Sequence, residues 1–193
     1  MKEKVIEELQ DILRKNLCTL KRASLDDSKQ VKFNMSESNI SVVNFDRIPN
    51  IYSKGKGWKG VPNSNDALYV DDNKWYFIEF KNGEVVKANV YRKIYDSLIM
   101  LIELGIIPDF EFARKNMIYI LVYNSEKGNK IPESPAREEN YSYFFKLASQ
   151  EEKLFEIEKF EKYLFDETHT YTKEMFQEKF VAVMEGKEVS SGC

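Results

Sequence analysis

Two charged residues end an apolar stretch of the chain, and a third lies where a hairpin would bring it beside them. Residues 75–81 read Trp-Tyr-Phe-Ile-Glu-Phe-Lys, so Glu79 and Lys81 share one face of a predicted strand, since side chains alternate with a period of two. If residues 72–73 form a two-residue turn, paired positions sum to 145 and Asp66 lies opposite Glu79. Two carboxylates and an ammonium at one strand end indicate a metal site whose lysine orients or activates water.

Both faces of this hairpin are otherwise apolar, which predicts strands that are covered on two sides. Charged groups in such strands cost several kcal/mol unless they are paired or bound to a metal. The alternative is that the strands end at the edge of the sheet, where Asp66, Glu79 and Lys81 are simply solvated.

The elements that must position these residues follow one another in a definite order. Periodicity and turn residues predict, in sequence, a helix at 2–18, a strand at 40–45, a break at 53–60, the hairpin 66–81, a helix at 87–104, a strand at 117–123, a loop at 127–135 and mainly helical structure over 141–185 with a break near 166–170. This order predicts the α/β (α+β) class, with a mixed central sheet flanked by helices. The helix at 87–104 crosses over to a parallel strand.

The predicted helix 87–104 also begins with a lysine on its apolar side. Lys87 shares that side with Tyr91, Ile94 and Leu98, which we expect to pack on the sheet. Lys87 is therefore predicted to point inward, close to the strand end that carries Glu79.

The spacing of Asp66 and Glu79-Phe-Lys81, thirteen positions apart after an apolar strand, resembles the signature of PD-(D/E)XK nucleases. These enzymes share the restriction-endonuclease-like fold, whose core of helix, three-stranded meander, helix and strand matches the predicted order over roughly residues 2–123. The resemblance implies that Asp66 and Glu79 bind Mg²⁺ (or Mn²⁺) and that Lys81 activates the attacking water. Asn65 stands where many members have proline.

Three further residues resemble supporting positions of the same family. Lys87 and Tyr91, four apart on one helix, look like its supporting polar pair, and Glu8 resembles the acidic residue that the first helix sometimes adds. The alternative for Glu8 is a solvated helix charge. The resemblance divides the chain into a core at 1–135, a helical extension packed on it at 136–187 and a flexible tail at 188–193.

The function implied is metal-dependent hydrolysis of phosphodiester bonds in DNA or RNA. Two alternatives remain: a non-catalytic interaction or regulatory protein on an inactive nuclease-like scaffold, or an unrelated α+β domain in which Glu-x-Lys is accidental. The formal charge of −3 argues against nucleic-acid binding without excluding it. Lys54, Lys56 and Lys59 around Trp58 suit a phosphate backbone and a stacked base, although an exposed loop explains them equally.

The remaining features predict location and partners. No apolar run approaches the roughly 20 residues that span a bilayer, so we expect a cytoplasmic protein without a membrane partner. His169, the only histidine, is expected at the surface or in a capping role. The aromatic residues of the carboxyl-terminal helices predict core packing or, alternatively, a homodimer or protein-partner surface.

Overall fold

The computed structural model describes residues 1–27, 32–71, 74–127 and 153–190. The strands within these ranges are β1 Leu17–Thr19, β2 Leu25–Asp26, β3 Phe33–Asn34, β4 Ser41–Asn44, β5 Ala67–Val70, β6 Trp75–Lys81, β7 Met117–Tyr123 and β8 Glu167–Thr172. The α-helices there are α1 Glu3–Glu8, α2 Asp11–Arg14, α3 Leu20–Ala23, α4 Ile48–Lys56, α5 Lys87–Glu103, α6 Phe110–Asn116, α7 Lys173–Phe176 and α8 Ala182–Ser190.

Six strands form one mixed sheet in the order β1-β4-β5-β6-β7-β8, and β2 pairs with β3 separately. The pairings from β1 to β6 are antiparallel, whereas β7 runs parallel to both β6 and β8. This confirms the predicted mixed sheet flanked by helices. The crossover helix α5 and the parallel strand β7 also lie where they were predicted.

The hairpin has the register expected from the sequence. Ala67 lies opposite Ile78 and Val70 opposite Trp75, so paired numbers sum to 145, while residues 72–73 lie outside the described residues. Both faces are covered: the Phe77 ring packs on Phe45, and aromatic rings of the carboxyl-terminal helical segment pack on the other face. The apolar composition of both faces thus correctly predicted a buried hairpin.

The amino-terminal segment differs from the single helix predicted at 2–18. Helix α1 ends at Glu8 because Leu9 is extended, and Leu17–Thr19 forms an edge strand paired with Ser41–Val43. The apolar residues Leu9 and Leu13 are nonetheless buried. Pairing with β4 therefore overrides the helical periodicity of this stretch.

The predicted break at 53–60 begins too early. Helix α4 continues to Lys56, with Pro49 in its first turn, and it ends where Gly57 adopts φ +68°. Proline fits the first helical turn, and glycine adopts a left-handed conformation without steric cost. Pro49 and Gly57 thus mark the beginning and the end of a helix.

The carboxyl-terminal part contains a strand where a break between helices was predicted. Residues 167–172 form β8, which extends the sheet beside β7 and buries Thr168 and Thr170. Alternating threonines are typical of strands, so this signal was present in the sequence. A continuous helical segment follows, with a π-helical stretch at Gln177–Val181 between α7 and α8.

The boundary predicted at 135/136 and the tail residues 191–193 lie outside the described residues. No helix in the described ranges is long and apolar enough to cross a membrane.

Candidate active site

Asp66 is held at the beginning of β5 by backbone contacts on both sides. Its Oδ2 accepts a 2.6 Å hydrogen bond from the backbone N–H of Phe80, and its carbonyl oxygen accepts one of 3.0 Å from Phe45. The side chain is 14% exposed. Asp66 therefore lies beside the end of β6, as the hairpin register requires.

Glu79 is completely buried near the end of β6, with Lys81 beside it. The Lys81 ammonium lies 2.6 Å from Oε1 of Glu79. Within the described residues, Oε2 of Glu79 has no hydrogen-bond partner. A buried carboxylate oxygen without a donor is costly, and it marks a position that a cation could satisfy.

Lys93 of α5 joins the two carboxylates, and sequence reasoning missed it. Its Nζ lies 3.0 Å from Oδ1 of Asp66 and 2.7 Å from Oε1 of Glu79. Val90 and Ser97, three positions before and four after it, are buried on the same side of the helix. A lysine within that buried stripe was the signal that the sequence offered.

The same helix is fixed to the segment that carries Asp66. The buried Ser97 hydroxyl accepts a 2.9 Å hydrogen bond from the backbone N–H of Asn65. This bond ties α5 directly to the residue before Asp66, so the position of Lys93 is set relative to both carboxylates.

Asp46 adds a third carboxylate that was not predicted. It follows β4 in a short 3₁₀ turn, and the Ser64 hydroxyl donates a 2.9 Å hydrogen bond to its Oδ1. An aspartate directly after the strand predicted at 40–45 was its only sequence signal.

These groups open onto a cleft of about 290 Å³. Asp46, Asp66, Lys81 and Lys93 line it, while Glu79 lies beneath. The other residues that line the cleft are Ala23, Ser24, Leu25, Asp26, Met35, Phe80, Asn82 and Gly83. The charged groups are therefore recessed but reachable from solvent.

The crowding of carboxylates changes their protonation. Burial, followed by the charge of Asp66, raises the pKa of Glu79 to about 7, although Lys93 and Lys81 oppose the shift. Burial and Asp66 likewise raise the pKa of Asp46, although its exposure to the cleft limits the effect. Burial alone would lower the pKa of Lys93, but the two carboxylates beside it outweigh burial and raise it. Lys93 is therefore a permanent cation at this site.

The expectation that Lys87 points inward is wrong. Its ammonium forms an exposed ion pair with Glu156, and the Tyr91 hydroxyl donates a 2.8 Å hydrogen bond to the carbonyl of Phe155. Both side chains thus face the segment that precedes β8 rather than the carboxylates. Glu8 ends α1, and its side chain lies outside the described part of the structure.

The basic residues around Trp58 lie apart from the cleft lining. Lys54 and Lys56 belong to the last turn of α4, and Lys56 pairs with Glu103 at 2.5 Å. Trp58 is 54% exposed and packs edge-on against Tyr52. Their role in substrate binding, like that of Lys59, stays a prediction.

The carboxyl-terminal aromatic residues belong largely to the core. Phe160, Phe165, Phe176 and Phe180 are buried, whereas Tyr163 is exposed. The rings at 141–145 lie outside the described residues. A dimer or partner surface on these elements stays a prediction.

His169 lies on β8, where its ring stacks on Tyr171. Its Nε2 is 3.3 Å from a carboxylate oxygen of Glu167. The histidine is therefore part of a strand beside the core rather than a helix cap.

A divalent cation suits the donor chemistry of the site. Asp66 and Glu79 supply the carboxylate oxygens that Mg²⁺ prefers, and Oε2 of Glu79 is buried without a partner. Within the described ranges, however, no three acidic, histidine or cysteine side chains are arranged around a common metal position. The ammonium of Lys93 lies between the two carboxylates instead.

Comparison with known proteins assigns no family to this chain. No family model matches it, and searches of curated proteins and of solved structures gave no match. Its function must therefore be argued from the site itself.

Tyr119 offers a test of the packing beneath the site. It is fully buried, its hydroxyl has no hydrogen-bond partner among the described residues, and burial raises its pKa well above the ordinary value. We expect Tyr119→Phe to raise the free energy of unfolding by about 1 kcal/mol, because it removes an unsatisfied hydroxyl. Chemical denaturation would measure the change.

Tyr91→Phe is the matched control for that substitution. Its hydroxyl is bonded to the carbonyl of Phe155, so its removal should lower stability by about 1 kcal/mol. Equal effects of the two substitutions would show that the Tyr119 hydroxyl is satisfied after all.

Proposed function

We propose that this protein is a Mg²⁺-dependent nuclease that hydrolyses phosphodiester bonds in DNA or RNA. The observation that carries the proposal is the convergence of Asp66, Glu79 and Lys81 at one cleft. Lys81 lies 2.6 Å from Glu79, and Lys93 joins the two carboxylates through contacts of 2.7 and 3.0 Å. The antiparallel run β4-β5-β6, followed by α5 and the parallel strand β7, supports a restriction-endonuclease-like core.

Asp66 and Glu79 would hold the metal in this proposal. When bound, Mg²⁺ neutralises phosphate charge and lowers the pKa of its water ligand. The backbone N–H of Phe80 fixes the Asp66 carboxylate, and complete burial fixes Glu79, so neither ligand needs to reorganise.

Lys81 is placed to work on the reacting groups directly. It contacts Glu79, lines the cleft and is 22% exposed, so its ammonium can contact both the attacking water and the phosphate. A fixed positive charge beside a phosphoryl group stabilises the charge that develops in the transition state. Lys81 is accordingly the residue whose removal should affect cleavage more than metal binding.

We expect Lys81→Met to reduce the cleavage rate by about 10²–10³-fold, while Mn²⁺ still binds, because the ammonium is lost but both carboxylates stay. The assay would follow labelled single-stranded and duplex DNA and RNA with Mg²⁺, with Mn²⁺ and with a chelator. Single strands belong in the set because the charged groups are recessed.

Lys115→Met is the matched control for Lys81→Met. Lys115 is 70% exposed on α6, which leads to Met117 opposite Trp75, at the other end of β6 from Lys81. Cleavage by Lys81→Met at the wild-type rate would remove the role of Lys81. Failure of the wild type to cleave any of these substrates with either metal would overturn the nuclease proposal.

A second candidate is a non-catalytic interaction protein on the same scaffold. The observation that favours it is Lys93, whose ammonium already forms ion pairs with both Asp66 and Glu79 without a metal. The two proposals differ in the thermal response to metal. A melting temperature that Mg²⁺ and Mn²⁺ leave unchanged, together with no cleavage, would favour the interaction protein.

A further inference from the structure

We propose that Lys93 occupies the cation position between Asp66 and Glu79 in the metal-free protein, and that a divalent metal ion must displace its ammonium group to bind. The inference rests on the proposed function only in assuming that these carboxylates bind metal. It adds a residue that sets metal affinity.

The contacts of Lys93 are those of a bridging cation. One nitrogen lies 3.0 Å from Asp66 and 2.7 Å from Glu79, within the range of charge-assisted hydrogen bonds to carboxylates. The two carboxylates belong to neighbouring chain segments of the sheet, and Lys93 reaches both of them from α5. The ammonium therefore takes the place that a bridging metal ion would need.

A metal ion bound between the two carboxylates would lie close to the Lys93 ammonium, and the two positive groups would repel each other. With both carboxylates ionised, Asp66, Glu79, Lys81 and Lys93 together carry no net charge, so these four groups as a set give a divalent ion little overall attraction. Moving the Lys93 ammonium away restores the negative charge that attracts the ion. Like charges at close range in a poorly solvated site are strongly unfavourable, and displacement is therefore the lower-energy route.

The side chain of Lys93 has somewhere to go. It is 22% exposed and lines the cleft, and its flexible four-carbon stem allows the ammonium to turn toward solvent. Glu79 has no such freedom, since it is completely buried. Once Lys93 has moved, a metal ion can take its place beside Oε1 of Glu79 and can also bind Oε2, which has no hydrogen-bond partner among the described residues.

The test is Mn²⁺ affinity, measured by the electron paramagnetic resonance of free Mn²⁺ during titration. We expect Lys93→Met to bind Mn²⁺ about tenfold more tightly than the wild type or better, because a competing charge is removed. Lys93→Arg retains a cation and should not gain affinity. Lys93→Gln, which is polar and uncharged, should also bind more tightly and serves as a second variant if Lys93→Met fails to fold.

Two controls test whether the gain in Mn²⁺ affinity arises at the proposed site. Arg92→Met removes an exposed cation from the adjacent position of α5 and should leave Mn²⁺ affinity within about twofold of wild type, because an exposed charge is screened. Adding Asp66→Asn to Lys93→Met should abolish the gain. If the gain survives Asp66→Asn, the metal binds elsewhere and the inference is overturned.

The outcomes separate this inference from the nuclease proposal. Folded Lys93→Met and Lys93→Gln proteins that bind Mn²⁺ no more tightly than wild type would overturn the inference, even if the wild type cleaves nucleic acid. Tighter Mn²⁺ binding by both variants supports it, even if the wild type cleaves nothing. In that second case the nuclease proposal fails, while the inference that metal displaces the Lys93 ammonium still holds.

Discussion

Replacing Asp66 with asparagine should reduce the proposed metal-dependent cleavage by about 10³-fold or more, because the site loses a charged group that we propose as a metal ligand. Asp66 uses one carboxylate oxygen to accept the N–H of Phe80 and the other to contact Lys93. Asparagine can retain the first contact through its amide oxygen, but its NH₂ group cannot accept from an ammonium or bind a cation. Cleavage rates at saturating metal and circular dichroism of the same preparation would measure the effect and verify folding.

The matched control for this substitution is Asp109→Asn. Asp109 caps α6, where its side chain accepts the backbone N–H of Phe112, and asparagine caps a helix about as well as aspartate. The same chemical change should therefore leave cleavage unaltered at a position remote from the cleft. Retention of activity by Asp66→Asn would rule out this carboxylate as a metal ligand.

Glu79 should make the protein less stable as the pH rises from about 4.5 to about 7 in metal-free buffer. Burial and the charge of Asp66 raise its folded-state pKa to about 7 from an ordinary value of 4.5. Between those values the unfolded chain has released the proton that the folded protein still holds, so the free energy of unfolding falls as pH increases. A pKa difference of this size corresponds to about 3 kcal/mol.

Glu79→Gln should remove that contribution, because the amide does not titrate. The stability of Glu79→Gln relative to wild type should rise by up to about 3 kcal/mol between pH 4.5 and 7 and then level off. Urea denaturation at half-unit pH steps with a chelator present would measure the two curves. Asp46, whose pKa is also raised, contributes a fall of the same sign to both curves, so the difference isolates Glu79.

Glu111→Gln is the control at an exposed position. Ion pairs with Lys115 and Arg114 lower the pKa of Glu111. The Glu111 carboxylate of the folded protein is therefore already ionised between pH 4.5 and 7. Its curve should run parallel to that of the wild type above pH 4.5. If the free energies of unfolding of the wild type and Glu79→Gln changed in parallel between pH 4.5 and 7, the Glu79 carboxyl group of the folded protein would be ionised over that whole range, and the prediction would be wrong.

The part of the site that lies on the hairpin could be predicted from the sequence. A two-residue turn and strict alternation fix which residues face one another, and the observed pairing of Ala67 with Ile78 has the predicted register. Such local rules use only neighbouring residues, which explains why they placed Asp66, Glu79 and Lys81 together.

Lys93 and Asp46 could not be placed by those rules. They reach the cleft from α5 and from the turn after β4, and their approach depends on how these elements pack on the sheet. The prediction for Lys87 was wrong in the opposite direction, because its apolar neighbours predicted a side chain that points inward. Lys87 instead pairs with Glu156, which is 69 positions away in the sequence. Contacts at that separation leave no periodic signal.

The position of the site in the sheet has a consequence for how such a protein can diverge. Glu79 lies on β6 and Asp66 directly precedes β5, and both strands have a hydrogen-bonded neighbour on each side, whereas Ala23, Leu25 and Asp26 line the cleft from α3 and β2, outside that sheet. Interior strands are generally the most protected against local opening. Substitutions at residues 23–26 and at Met35 could therefore alter which molecules enter the cleft, while the spacing of the two carboxylates is inherited unchanged.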